Sequence, residues 1–118
     1  MLLKLASKQD QVLSVRELAE AQGVPYSFAR SIQRDLVQAG LIKTTRGATG
    51  GTVLARPADE INLFHVVDAI QGPVVCAVCT KDPAWCERQP GCKVHRIWTD
   101  INEMLIERLN STLISDLL

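Results

Sequence analysis

Long apolar runs are missing from this 118-residue chain: none approaches the roughly 18–20 residues that cross a bilayer. An internal repeat and a low-complexity tract are missing as well. The opening MLLKLA is too short for a secretory signal peptide and carries no small-residue cleavage site. We therefore expect one compact domain with an appended helix, located in the cytoplasm.

Cysteine is absent except between positions 76 and 92, where all four cysteines lie. Cytoplasmic thiols are kept reduced, so clustered cysteines there indicate metal or redox chemistry before structural disulfides. A thiol oxidoreductase is disfavoured, because Cys76-x2-Cys79 does not open a helix after a strand. We predict that the chain is not an enzyme.

The formal net charge of the chain is zero, yet the charges are unevenly placed along it. Residues 1–57 carry eight Lys/Arg and four Asp/Glu, a net charge of +4, whereas residues 58–118 carry five and nine, a net charge of −4. A basic front half and an acidic rear half suggest that only the front meets a polyanion. Ordinary variation of surface charge explains the asymmetry equally well.

Capping signals place two helices in the front half. Ser14 with Glu17 three positions on predicts a capping box, and Gly23 ends the helix that it begins. A second helix begins near Pro25 and ends at Gly40, with an apolar face at helical spacing. Before them, MLLKLA is typical of the end of a helix.

A hairpin follows the second helix. Leu41–Lys43 begins one short strand, Thr52–Ala55 forms the return strand, and a glycine-rich tip joins them. Helix, turn, helix and two-stranded wing together are the pattern of a winged helix-turn-helix domain. The predicted fold class is therefore mainly α with a small β-wing.

Two more helices are predicted in the rear half. Asn62 caps a short helix ended by Gly72, and a longer helix begins near Cys92. Thr112 is the candidate cap of a last short helix that ends at Leu118. The long helix has one apolar stripe, which makes it a candidate for the core or for a dimer interface: Val94, Ile97, Trp98, Ile101, Leu105 and Leu109.

The winged pattern predicts a DNA-binding surface. The N-terminal side chains of a recognition helix reach base edges in the major groove, and an arginine between glycines fits a narrow minor groove. An alternative is a winged module that serves protein contacts. The candidate DNA-binding residues lie on the second helix and around the wing: Tyr26, Ser27, Arg30, Gln33, Arg34, Lys43, Arg46, Thr49 and Arg56.

Three stretches carry a family signature: SVRELAEAQGV, then SFARSIQRDLVQAGLIKTTRGATGGTVLARPADEINLFHVVDAIQG, then CKVHRIWTDINEML. They closely resemble the Rrf-two family of bacterial repressors over nearly the whole chain from Ser14. The resemblance implies a homodimer on palindromic promoter sites and a cysteine loop that senses iron–sulfur status, nitric oxide or redox state. Arg30 departs from IscR-like members, which have an acidic residue there, so their target sequence does not carry over.

The cysteine loop, Cys76-x2-Cys79-x6-Cys86-x5-Cys92-x2-His95, offers two ligand sets. Cys79, Cys86, Cys92 and His95 resemble the IscR-like loop and suit an iron–sulfur cluster, with [2Fe–2S] favoured over [4Fe–4S] because an imidazole replaces one thiolate. Cys76, Cys79, Cys92 and His95 have acceptable spacing for tetrahedral zinc. A metal-free loop, with reduced thiols or a redox disulfide, is the third alternative. Outside the first set, Cys76 is expected to be a buried apolar residue.

The sequence thus divides into three parts. Residues 1–72 form the winged DNA-binding domain, 73–91 the cysteine-rich sensor loop, and 92–118 the dimerisation helix with a short C-terminal helix. The predicted function is a sequence-specific transcriptional repressor that responds to redox state, iron–sulfur status or nitric oxide. Its alternatives are a zinc-binding or cluster-free thiol sensor of the same fold and, with less support, a winged-helix adaptor.

Overall fold

A computed structural model of the chain describes residues 1–47, 50–76 and 91–118. Short 3₁₀ turns span Ala58–Glu60 and Ile114–Leu117. The two strands are antiparallel and form one hairpin. The fold is mainly helical with a small β-wing, as predicted, and its elements are α1 (Leu2–Ser7), α2 (Val15–Gln22), α3 (Tyr26–Gln38), β1 (Ile42–Thr45), β2 (Gly51–Leu54), α4 (Leu63–Gln71) and α5 (Lys93–Asn110).

The capping box predicted for α2 is present. The Ser14 hydroxyl accepts a hydrogen bond from the Glu17 amide at 3.1 Å, and the Glu17 carboxylate accepts one from the Ser14 amide at 2.7 Å. Two of the amides that a helix start leaves unpaired are thereby satisfied. At the other end Gly23 has φ of 65°, the left-handed conformation in which glycine has no Cβ penalty.

Helix α3 ends where its glycine predicted. Gly40 has φ of 75° and donates its amide to the Val37 carbonyl at 3.0 Å. The Leu41 amide then donates to the Leu36 carbonyl at 3.0 Å. This pair of bonds is a Schellman motif, and it turns the chain directly from α3 into the wing.

The hydrophobic core is assembled from both ends of the chain. Ile114, near the C-terminus, is 2% exposed and packs with residues of α1, α2 and α3. The Ile114 amide donates to the Ile61 carbonyl at 2.8 Å, and the Leu63 amide donates to the Thr112 carbonyl at 2.9 Å. The segment after α5 therefore returns to the winged domain. The core residues are Leu2, Leu5, Ala6, Leu18, Leu36, Leu41, Ile42, Ala58, Ile61 and Ile114.

The prediction that Thr112 caps the last helix is wrong. The Thr112 hydroxyl donates to the Arg108 carbonyl at 2.9 Å, at the end of α5. The turn that follows begins one residue later, where the Leu113 amide donates to the Asp116 carboxylate at 2.9 Å. A threonine in the last turn of a helix can bond backward to a carbonyl instead of forward to an amide, and Thr112 does so.

Helix α5 has no buried residue. The predicted stripe is largely exposed: Ile97 is 57% and Trp98 40% exposed, while Leu109 at the far end is half-buried. Trp98 is therefore not a core residue of the chain. Among the residues that the structure describes, no helix is long and apolar enough to cross a bilayer.

Candidate nucleic-acid interface and cysteine site

A cleft of about 750 Å³ lies between α3 and the wing. No acidic residue lies among the described residues that line it. The cleft has the composition of a polyanion-binding surface, because cations attract phosphates and acidic side chains would repel them. Its charged side chains are four arginines, namely Arg16, Arg30, Arg34 and Arg46.

Most of the predicted DNA-binding residues are exposed. Tyr26 joins Arg30, Arg34 and Arg46 in lining the cleft. Thr49 lies outside the described residues. Three further candidates are exposed but do not line the cleft, namely Ser27, Lys43 and Arg56.

Gln33 is placed differently from the expected DNA-facing side chain. It is 8% exposed, and its Nε2 donates a hydrogen bond to Thr52 Oγ1 at 2.8 Å. This buried bond joins α3 to strand β2, and Gln33 and Thr52 both also line the cleft. The position was foreseeable, because Ala29, Gln33 and Leu36 have i, i+4, i+7 spacing and share the buried face of α3.

Thr52 is the point at which three segments meet. It is fully buried, and besides accepting from Gln33 it forms a β-bridge with Leu13, the residue before the cap of α2. The Leu13 amide donates to the Thr52 carbonyl at 3.2 Å, and the Thr52 amide donates back at 2.6 Å. The wing is thus bonded to α3 and to the segment that leads into α2. A Cβ added at the neighbouring Gly51 would lie 2.8 Å from the Leu13 carbonyl oxygen.

Arg16 was not among the predicted DNA-binding residues, yet it lines the cleft. Its guanidinium carbon lies 5.1 Å from the centroid of the Tyr26 ring, so the two side chains stack across α2 and α3. At this distance the interaction is a cation–π contact. The sequence signal was an arginine in the first turn of a helix, where acidic residues are favoured.

Cys92 and His95 lie one turn apart at the start of α5. Cys92 is the N-cap of the helix, and its Sγ accepts a hydrogen bond from the His95 amide at 3.4 Å. His95 Nε2 lies 3.4 Å from Thr99 Oγ1. Both side chains line a cavity of about 290 Å³, together with Lys93 and Arg96.

The other two predicted cluster ligands, Cys79 and Cys86, lie outside the described residues. Among residues 1–47, 50–76 and 91–118, no three His, Cys, Asp or Glu side chains come together as a metal site. Thiolate and imidazole donors beside two cations nevertheless suit an anionic iron–sulfur group. The described part of the predicted ligand set therefore fits such a group.

Cys76 is hydrogen-bonded to a later part of α5. It is half-buried, less than predicted, and its backbone amide donates to Asn102 Oδ1 at 2.7 Å. Asn102 lies ten positions along α5 from Cys92, which is about 15 Å at the helical rise. Residues 76 and 91, which flank the undescribed segment, are therefore anchored at different levels of one helix.

Comparison with known proteins identifies the family of this chain. Residues 1–118 match the family model described as "Rrf2: Iron-dependent Transcriptional regulator". The protein rrf2 of Nitratidesulfovibrio vulgaris is 30% identical over 119 residues, which cover all of this chain and 79% of that protein. The HTH-type transcriptional regulator IscR of Pectobacterium carotovorum is 26% identical, covering 92% of this chain and 66% of that protein.

Solved structures agree with these sequence matches. CymR of B. subtilis, described as the global cysteine regulator, superposes with a TM-score of 0.80 at 26% identity, over 98% of this chain and 85% of that one. T. potens IscR shares the fold with a TM-score of 0.76 at 24% identity, over 98% of this chain and 76% of that one. The chain therefore belongs to the Rrf2 family, the Rrf-two family of the sequence resemblance, whose members are DNA-binding transcriptional regulators and not enzymes.

Proposed function

We propose that this chain is a homodimeric, sequence-specific repressor that binds palindromic promoter sites and responds to an iron–sulfur cluster in its cysteine loop. The observation that carries the DNA-binding part is the arginine-lined cleft between α3 and the wing. A regulator of bacterial promoters acts on the chromosome, so its place of action is the cytoplasm.

The cleft supports a two-groove mode of DNA binding. With α3 in the major groove, Arg30 and Arg34 face base edges and phosphates, and Arg46 at the wing enters the adjacent minor groove. The bonds of Thr52 to Gln33 and Leu13 hold the wing at a set angle to α3. The distance between the two DNA contacts is then fixed by the fold and not by the DNA.

The exposed apolar face of α5 supports the homodimer. Val94, Ile97, Trp98, Ile101, Met104 and Leu105 are each between 40% and 68% exposed on one side of an 18-residue helix. A contiguous apolar face of this kind marks an interaction surface. A second copy of the chain matches it, because two identical amphipathic helices bury their stripes against each other with two-fold symmetry. Two winged domains would then read two half-sites of a palindrome.

The start of α5 supports the cluster. Cys92 and His95 line one cavity, and the cations Lys93 and Arg96 border it. We propose Cys79 and Cys86 as the remaining ligands, with [2Fe–2S] the favoured type, since a histidine suits such a site. When bound, the group supplies a redox state that iron supply, oxidants or nitric oxide change.

The position of Cys76 supports this ligand set over the zinc set. Zinc ligands lie at about 2.0–2.3 Å from one ion and therefore within a few ångströms of one another. Cys76 is bonded through its amide to Asn102, about 15 Å along α5 from Cys92 at the helical rise. With this bond in place, the backbone of Cys76 lies beside the middle of α5 and not at its start.

A cluster-free thiol sensor is the second candidate. Its support is the CymR structures, since the Staphylococcus aureus CymR has been described in an oxidised form as well, and it superposes with a TM-score of 0.73 at 24% identity, a likeness of fold alone. The B. subtilis CymR, at 26% identity, is described as a cysteine regulator. In this alternative the same loop cysteines change redox state without a metal.

The contacts at both ends of α5 suggest how a signal reaches the DNA-binding domain. Ile114, just after the helix, is buried in the winged core, whereas Cys92 begins the helix at the sensor loop. A change at the loop therefore acts on a helix whose other end is held by the DNA-binding domain. Ligand state can shift the arrangement of the two winged domains only by its differential affinity for the alternatives.

DNA binding is tested by anisotropy with labelled promoter fragments selected from genomic DNA. The wild-type chain should bind with log K falling linearly with log salt, and Arg46→Ala should weaken binding. Lys8→Ala, which removes an exposed charge outside the cleft, is the control and should leave affinity unchanged. Unchanged binding by Arg46→Ala would overturn the wing assignment, and failure to bind any fragment would overturn the function.

The cluster is tested on protein purified without oxygen. It should be brown and contain iron and sulfide, and its visible absorption should be lost in Cys86→Ser and Cys92→Ser but kept in Cys76→Ser. Cys92→Ser is the informative variant, because serine is a good N-cap and separates the loss of a ligand from the loss of the helix start. A colourless protein with stoichiometric zinc, dependent on Cys76 but not on Cys86, would establish the zinc set instead.

A further inference from the structure

We propose that Arg16 of α2 binds a DNA phosphate and that the ring of Tyr26 on α3 positions it. The proposal rests on the DNA-binding function and adds a third element, the first helix of the helix-turn-helix, to the contact surface. It also changes the role of Tyr26 from a base-reading side chain to the platform of a neighbouring arginine.

The geometry of the pair shows that the Tyr26 ring positions the Arg16 guanidinium while its N–H groups stay open to a ligand. Its carbon lies 5.1 Å from the ring centroid of Tyr26, within the distance of a cation–π contact. Arg16 is exposed, and Tyr26 is 47% exposed, so the stack lies at the surface. A guanidinium over a ring face keeps its N–H groups for other partners, and these groups match the oxygens of a phosphate.

The charge of Arg16 is not explained by the stability of α2. Arg16 follows the cap Ser14 by two positions, and a cation in the first turn opposes the helix dipole by about 0.3–1 kcal/mol. The carboxylate of the adjacent Glu17 is committed to the Ser14 amide at 2.7 Å. In the part of the chain that the structure describes, Arg16 has the Tyr26 ring as its partner and forms no ion pair with a carboxylate.

The side chains around Arg16 indicate which class of ligand it binds. It lines the same cleft as Arg30, Arg34 and Arg46, and no acidic side chain is among the described lining residues. With α3 in the major groove, the helix that precedes it crosses the DNA backbone. A guanidinium at the start of α2, held against the start of α3, therefore meets a phosphate at the edge of that groove.

The test is a salt titration with a fluorescein-labelled DNA duplex of random sequence, because a phosphate contact is independent of sequence. Arg16→Ala should reduce the slope of log K against log salt by about 0.9, which is about a fivefold loss of affinity at 0.15 M salt. The loss should be the same factor on a selected promoter fragment. Lys8→Ala, outside the cleft, should change neither the slope nor the affinity.

A double-mutant cycle tests the platform. Tyr26→Phe keeps the ring and should bind as wild type, whereas Tyr26→Ala should weaken binding in the Arg16 background but add no loss to Arg16→Ala. Loss of sequence discrimination in Tyr26→Phe would show that the hydroxyl reads a base and would overturn the platform role. Full affinity and slope in Arg16→Ala would overturn the phosphate contact while leaving the DNA-binding function intact, whereas no binding by the wild type would overturn that function itself.

Discussion

Helices α3 and α5 are both amphipathic, but the chain itself covers only one of them. In α3, Ala29 and Leu36 are each 1% exposed. In α5 the apolar stripe stays open, with Ile97 at 57% and Met104 at 68% exposed. One stripe belongs to the core of the winged domain, whereas the other is exposed in the single chain. The same helical spacing of apolar residues therefore gives a buried face in α3 and an exposed face in α5.

The starts of α2 and α5 differ in the same way. Ser14 caps α2 with an oxygen at 3.1 Å from the Glu17 amide, and Cys92 caps α5 with a sulfur at 3.4 Å from the His95 amide. Sulfur is a weak acceptor, so a cysteine is a poor choice for capping alone. The front cap is a structural device, whereas the rear cap occupies a position that suits a thiolate ligand.

The largest expected effect comes from truncating one side chain in each stripe. Leu36→Ala should lower the free energy of unfolding by about 2–5 kcal/mol, because it leaves a cavity in the core. At protein concentrations below the dimer dissociation constant, Met104→Ala should lower it by under about 1 kcal/mol, because the side chain is mostly exposed in the single chain. Urea unfolding followed by circular dichroism, at one protein concentration, measures both. Equal losses would show that the two stripes are not different in kind.

A charge placed in the open stripe should separate the copies. Ile101→Glu should weaken dimerisation at least about 100-fold, or roughly 2.7 kcal/mol, because a carboxylate would be buried in the apolar interface. Glu103→Lys, on the opposite side of α5 by helical angle, is the control and should stay dimeric. Sedimentation equilibrium measures the dissociation constants. A dimeric Ile101→Glu variant would show that this face is not the dimer interface.

The smallest effect is expected from removing one of two side-chain hydrogen bonds, the bond from Gln33 to Thr52 and the bond from the Cys76 amide to Asn102. Thr52→Val leaves the buried Gln33 amide without its acceptor and should cost about 1–3 kcal/mol, while Asn102→Ala removes the half-buried acceptor of the Cys76 amide and should cost about 0.5–1.5 kcal/mol. The pair Gln33→Leu with Thr52→Val should recover most of the first loss, because both polar groups are then gone. If Asn102→Ala lowered the free energy of unfolding as much as Thr52→Val, the two hydrogen bonds would contribute equally to stability.

Much of the front half was predictable, and the position of Gln33 is instructive. The winged pattern, the capping box of Ser14 and three of the four arginines of the cleft followed from local signals, whereas Arg16 was missed. Gln33 was grouped with the DNA-facing side chains because of its polarity, although its spacing from Ala29 and Leu36 places it on the buried face. Periodicity was the better guide there, and the Gln33 Nε2 donates to Thr52 Oγ1 within the fold.

The rear half was predictable in its elements but not in its contacts. Asn62 caps α4, and α5 begins after Cys92, as their positions indicated. The return of Ile114 to the core and the bond from the Cys76 amide to Asn102 had no sequence signal. Each contact joins residues more than twenty positions apart, and the local sequence around one partner does not predict the other.

The amino-acid sequence by itself determined where α2, α3 and α4 begin and end and where α5 begins, and it named the candidate DNA-binding and cluster-binding residues. Capping boxes, glycine ends and thiol spacing act over a few residues, so they can be identified without the fold. Only the tertiary structure decided that Thr52 would bond the wing to α3, that Arg16 would stack on Tyr26, and that the stripe of α5 would stay open. Burial and stacking depend on which distant segments meet, and that is a property of the packed chain.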